Sequence, residues 1–174
     1  MLLHLIAILS FTVAYAYQIP NCDYIVEEIL DYGNQIKLDN GSKWKVSETD
    51  VYKIIMSWNK NDKVTVYPNT SWFVSYNYYL KNEISRSMVG ANIVSPPLHR
   101  GPKTHWVQAL NKFSGHLFLD DGSSWKIASE DWALFERWKN GDSVIIGLYK
   151  NWVSTYNYIL IDVEMNCYVR ATPF

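Results

Sequence analysis

Residues Tyr24 to Val94 read onto His105 to Phe174 almost position for position, so whatever this chain folds into, it must fold into twice. The anchor phrases are IKLDNGSKWKV, from Ile36 to Val46, and LFLDDGSSWKI, from Leu117 to Ile127. A second pair follows in each copy: WFVSYNYYL from Trp72 to Leu80 and WVSTYNYIL from Trp152 to Leu160. Positions kept in both copies are those the unit needs to fold or to act. Each unit spans about 70 residues, near the lower limit for an independent core, so each is expected to lean on the other.

Within a unit the periodicity changes twice. Tyr24 to Leu30 and His105 to Leu110 read as a first strand, and Ile36/Leu38 with Leu117/Leu119 begin the alternation of a second. Asn40-Gly41 and Asp121-Gly122 predict two-residue hairpin turns with positive φ at both positions. Trp44/Val46 and Trp125/Ile127 then face the core while Lys45 and Lys126 face away. Ser47 to Asp50 and Ser129 to Asp131 read as helix entries with capping side chains, and Val51, Ile54, Ile55 and Trp58 fall on one helical face. Three more strands follow: Val64 to Tyr67, Phe73 to Leu80 and Met88 to Ile93, matched by Val144 to Ile146, Val153 to Leu160 and Tyr168 to Thr172. A sheet this small closes to hide its edges, so the expected fold is all-β: two tandem small barrels, OB-like or SH3-like. Each carries one short helix between strands three and four.

The run MLLHLIAILSFTVAYA ends in Ala14-Tyr15-Ala16, the form of a signal-peptidase site, and it is shorter than the roughly 20 residues that span a bilayer. Export is therefore expected, to the periplasm, the envelope or the exterior, with no stable membrane span after cleavage. The expected division is a signal peptide over 1–16, a first barrel repeat over 17–94, a linker over 95–103 with three prolines, and a second repeat over 104–174. Cys22, just before the first repeat, and Cys167, near the end of the second, are a possible disulfide in an oxidising compartment. Val144-Ile145-Ile146 is apolar at consecutive positions where Val64-Thr65-Val66 alternates, which places part of the contact between the barrels on that strand.

The pattern Leu-Asp-x-Gly-Ser-x-Trp-Lys, followed by a helix, a Trp and an (Asn/Gly)-Asp-x-Val strand, resembles tandem repeats of uncharacterised exported bacterial proteins. The resemblance covers both units. It implies export and brings no activity or site to transfer.

Charge and motif narrow the function by elimination. Sixteen basic and seventeen acidic residues leave a net charge of −1, which gives no electrostatic footprint for nucleic acid. His99, His105 and His116 have no metal-site spacing, no nucleophile elbow or phosphate loop is present, and no cofactor is expected. The polar residues kept in both copies include Asp39/Asp120, Ser42/Ser123, Asp50/Asp131 and Asp62/Asp142, which turns and helix entries account for. Alternation along the fifth strand would line up Trp72, Val74, Tyr76, Tyr78 and Leu80, and Trp152, Ser154, Tyr156, Tyr158 and Leu160. With Asn77 and Asn157 beside them, Trp72, Tyr76, Tyr78, Trp152, Tyr156 and Tyr158 are the candidate ligand residues. The expected function is a non-catalytic binding module that recognises a peptide or an envelope protein through this aromatic face. A cell-wall or host glycan is the second choice, and a hydrolase using Asp39 or Asp120 as acid/base is the competing class.

Overall fold

The structure is a computed structural model and describes residues 22–71, 73–99 and 101–174. The expected signal peptide and Trp72 lie outside the described residues. The first unit is β1 (Asp23–Leu30), β2 (Gln35–Leu38), β3 (Lys43–Val46), α1 (Val51–Ser57), β4 (Lys63–Pro68), β5 (Tyr78–Asn82) and β6 (Met88–Ser95). The second repeats it as β7 (His105–Asn111), β8 (His116–Leu119), β9 (Ser124–Ile127), α2 (Trp132–Phe135), β10 (Ser143–Leu148), β11 (Tyr158–Asp162) and β12 (Cys167–Pro173). Each set of six strands closes into an antiparallel barrel, in the orders β1-β2-β3-β6-β5-β4 and β7-β8-β9-β12-β11-β10. Two three-strand meanders joined by the helix thus make each barrel.

Closure depends on the first strand serving two neighbours. Register shifts between Val26 and Glu28 in β1, and between Val107 and Ala109 in β7, so each strand carries an irregularity at the same place in its copy. Beyond the bulge, β1 turns from β2 to β4, pairing Tyr24 with Val64, and β7 turns from β8 to β10, pairing His105 with Val144. Asn61 and Gly141 occupy equivalent positive-φ positions (73° and 92°), and their N–H groups donate to the carbonyls of Val26 and Val107. That need for a left-handed residue explains the Asn/Gly choice before the conserved aspartate.

The Leu-Asp-x-Gly-Ser-x-Trp phrase is a packing device. Leu38 and Leu119 are in the two cores. Asp39 Oδ1 accepts from Ile25 N–H and Asp120 Oδ1 from Trp106 N–H, both at 3.0 Å, tying the hairpin to the first strand. Gly41 and Gly122 have φ of +84°. Ser42 Oγ and Ser123 Oγ accept the indole N–H of Trp44 (2.8 Å) and Trp125 (2.9 Å), which lets each barrel bury a whole tryptophan without stranding its donor.

Two local expectations are corrected. Only the glycine of each hairpin has positive φ; Asn40 and Asp121 do not, and Gly41 N–H donates to Leu38 O while Leu38 N–H donates to Ser42 O. The loop is longer than two residues because the Asn40 side chain spends its oxygen on Ser42, accepting from both its N–H (3.0 Å) and its Oγ (2.6 Å). At the helix entries no side chain caps the backbone. Asp50 instead reaches across to accept from Gly90 N–H on β6 (2.8 Å), and Asp131 accepts from Arg170 N–H on β12 (2.7 Å), so the shared carboxylate fastens helix to sheet. Ile54 on α1 and Trp58 just after its end are buried as the spacing predicts, while Ile55 is exposed because seven residues are too few to bury a wide face.

The barrels meet through β4 and β10. Val144 and Ile146 point into their own barrel, whereas Ile145, Ile159 and Ile161 join the core cluster of the first barrel. The consecutive apolar residues of β10 are therefore buried on both sides, as expected. A Cβ on Gly147 would stand 2.7 Å from the Val66 carbonyl, so β10 and β4 approach as only glycine permits. Tyr24 reaches the same strand: its hydroxyl accepts from Ile146 N–H and donates to Ile146 C=O, both at 3.0 Å. The segment between the barrels folds back on the first hairpin, with Leu98 N–H bonded to Asn40 C=O and the Lys103 ammonium on Asp39 (2.8 Å) and the Asp23 carbonyl (2.6 Å).

Candidate functional site

The aromatic stripe is not a strand face. β5 and β11 begin at Tyr78 and Tyr158, and the residues before them form loops, closed where Asn69 N–H donates to Asn77 C=O and Tyr149 N–H to Asn157 C=O, both at 2.8 Å. Asn69 holds its loop further by donating to Tyr76 C=O and accepting from Ser71 N–H. These side-chain bonds to the backbone compete with strand pairing and win, since the ladder with β6 ends at Tyr78 opposite Ala91.

The candidate residues consequently separate. Tyr78 is wholly buried, edge-on to Trp44 at 5.6 Å, and Tyr158 is half-buried, edge-on to Trp125 at 5.3 Å. Both are core residues first. Tyr76 is half-buried and meets Tyr79 edge-on at 5.3 Å. Tyr156 is half-buried, its N–H on Ser154 Oγ, and Asn77 and Asn157 are exposed at the loop bases. Trp152 is 97% exposed and Phe73 98%, with Val153 exposed beside Trp152. Cys22 is buried and Cys167 half-buried, and burial pushes the pKa of each thiol above its ordinary range, Cys22 to about 11.

Asn77 and Tyr78 do line a cleft, of about 470 Å³, that the second barrel completes with Tyr149, Tyr168, Arg170 and Asp131. Asn69 and Tyr149, counterparts in the two copies, both line it, so the loops carrying Phe73 and Trp152 rise from its rim. Tyr78 and Tyr168 stand 6.4 Å apart in the cleft, edge to face. Burial raises both phenols, so they remain neutral donors. Arg170 is held by Asp131 through two parallel bonds, Nε to Oδ2 and Nη2 to Oδ1, each 2.9 Å. The pair cancels its own charge, so the cleft is lined by amide and phenol groups beside one neutralised ion pair.

Tyr149, Tyr168 and Arg170 escape a search for residues shared by the copies, because their counterparts are Asn69, Met88 and Gly90. The signal that marks them is the divergence itself. Where the second barrel has Arg170, Gly90 lets the Tyr76 ring lie against β6: a Cβ there would stand 2.4 Å from the ring. Gly90→Ala is expected to expel Tyr76 and cost about 1–3 kcal/mol in urea unfolding, with a changed near-UV spectrum. An unaltered spectrum and midpoint would refute that packing.

The duplicated carboxylates are occupied by the scaffold. Asp39, Asp50, Asp62, Asp120, Asp131 and Asp142 each accept a backbone N–H. Only Asp131 lines the cleft, paired to Arg170. Among the described residues no group of three or more His, Cys, Asp or Glu could hold a metal ion, and no helix is long and apolar enough to cross a membrane. No protein-family model, no curated protein and no solved structure matches the chain.

Proposed function

We propose that this chain is an exported, non-catalytic binding module that grips a peptide segment of a partner protein at the cleft between its barrels. The observation that carries the reading is the pair of equivalent loops, rooted in the cleft wall and tipped by the fully exposed Phe73 and Trp152. Holding large apolar rings in water gives up the stabilisation their burial would bring, and such rings are the usual anchors of protein contacts. The neutral lining suits an uncharged peptide stretch, whose backbone the Asn77 amide and the Tyr149 and Tyr168 hydroxyls can bond. The apolar run ending at Ala14-Tyr15-Ala16 supports export. Engagement of the shared carboxylates in backbone bonds speaks against hydrolysis.

Selection from a random peptide library on the wild-type chain, beside an array of cell-wall and host glycans, tests this. A peptide consensus is expected, and Phe73→Ala with Trp152→Ala should weaken it about 30-fold or more, at two hot-spot anchors' strength, with little change in melting. Glycan binding without peptide binding, or affinity that survives the double replacement, would overturn the reading.

A further inference from the structure

One position sets the two barrels apart in a way their equivalence makes plain. Asn82 on β5 pairs with Val64, and Asp162 on β11 pairs with Val144, so the two are structural counterparts. In the first barrel the Asn82 amide donates to Asp62 Oδ2 at 2.6 Å, while its own oxygen accepts from the N–H groups of Ile84 and Ser85. In the second barrel Asp62 is replaced in kind by Asp142, but the amide has become a carboxyl. Asp162 is wholly buried, and its Oδ1 accepts from Met165 N–H at 2.9 Å. Its Oδ2 is buried with no partner that could donate to it. What faces that side is the Asp142 carboxylate, itself fixed by Lys139 N–H.

Two ionised carboxylates in that place would leave a buried anion facing another with no donor between them, at high cost. One proton resolves the conflict, because a protonated Asp162 donates to Asp142 just as the Asn82 amide donates to Asp62. We propose that a proton held between Asp162 and Asp142 latches the β11–β12 turn, and that its loss as pH rises loosens the turn and the cleft wall built on it. The turn's residue Asn166 and the adjoining Cys167 line the cleft, so this regulation rests on the cleft being the binding site.

On balance the surroundings favour retention of the proton. Burial is the main cause, opposed by the Met165 N–H, and Asp142 and Glu164 add like charge, so the carboxyl is raised to about 7. Glu164 is held close by Ser143 N–H at 2.9 Å. Cys167 lies across the ladder on β12, and Tyr78 of the first barrel feels the Asp162 charge; neither is a cation. None of the ion pairs among the described residues includes Asp142 or Asp162. The sign follows: the folded chain holds a proton that the unfolded one releases near pH 4, so the latch is fully present below that pH. It weakens as pH climbs toward 7 and is gone above.

Carboxyl carbon NMR of the wild-type chain, which needs no ligand, tests the latch directly. Asp162 is expected to titrate near pH 7, and the Met165 amide proton, bonded to it, to shift with the same midpoint. A midpoint below 5, or a Met165 signal that ignores the transition, would overturn the proposal. Melting from pH 5 to 8.5 gives a second reading: the wild type should lose several degrees relative to Asp162→Asn across that range, while Asn82→Asp should install a similar loss in the first barrel. Parallel melting curves for wild type and Asp162→Asn would overturn it. So would a rise in melting temperature with calcium at pH 8 that needs Asp162, since a cation would then fill the proton's place. Failure of the peptide selection with these titrations intact would discard the binding site and keep the latch.

Discussion

Replacing Tyr24 by phenylalanine is expected to destabilise the whole chain by about 2–4 kcal/mol, although only one oxygen is lost. That oxygen bonds both backbone groups of Ile146, on a strand of the other barrel. β10 pairs with β7 only at Ser143 and Val144, so beyond that point its edge has no strand beside it. The Tyr24 hydroxyl fills the gap. Phenylalanine would leave a buried N–H and a buried C=O unsatisfied, each costing about 1–3 kcal/mol, while the ring keeps its apolar packing. Because Ile145, Ile159 and Ile161 belong to the first barrel's core cluster, wild-type unfolding is expected to follow one transition by fluorescence and circular dichroism in urea. The variant's midpoint should fall by about 1–2 M, at the urea dependence usual for a small protein. Tyr52→Phe, at an exposed position on α1, is the control and should stay within about 0.5 kcal/mol. A Tyr24→Phe midpoint no lower than the control's would show that the bridge does not hold the barrels together.

The same tyrosine shows where the sequence was readable. Its place at the head of a repeat, opposite His105, announces a strand, and alternation at Ile36, Leu38, Trp44 and Val46 announces which residues fill a barrel. Val144-Ile145-Ile146 announces even the interface, because a strand buried on both sides has no polar face to keep. The bond from Tyr24 to Ile146 carries no such mark, since it depends on how two barrels dock. The aromatic stripe misled for a related reason. Alternation at Trp152, Ser154 and Tyr156 imitates a strand, but Asn157 and Tyr149 close the loop by backbone bonds that composition does not display. The cleft is hidden more deeply: Tyr149, Tyr168 and Arg170 are where the copies disagree, and only the approach of the two barrels brings them to Asn77 and Tyr78. A repeat advertises what both copies share, so a cleft made once, between them, is written in the differences.

The largest single loss is expected at the center of the repeated phrase. Trp44→Ala and Trp125→Ala should each cost about 3–5 kcal/mol, since both side chains are wholly buried and the cavities they leave are ringed by barrel strands that cannot collapse. The informative comparison is with the serines that serve them. Ser42→Ala and Ser123→Ala each remove the acceptor of an indole N–H, so symmetry alone predicts equal costs. The surroundings break that symmetry. Asn40 and Ser42 are wholly buried, and Leu98 lies so close over Gly41 that a Cβ there would stand 2.4 Å from its Cγ. Around Gly122 nothing comes within 4 Å of the same point, Asp121 is exposed, and Ser123 is only half-buried. Water can replace the lost acceptor in the second barrel and is excluded from the first. Ser42→Ala is therefore expected to cost about 1–3 kcal/mol and Ser123→Ala less than about 1 kcal/mol. Leu98→Ala, by admitting water to the first hairpin, should reduce the added cost of Ser42→Ala in a double-mutant cycle. Equal costs for the two serines, unchanged by Leu98→Ala, would mean that the segment between the barrels does not seal the first hairpin from solvent.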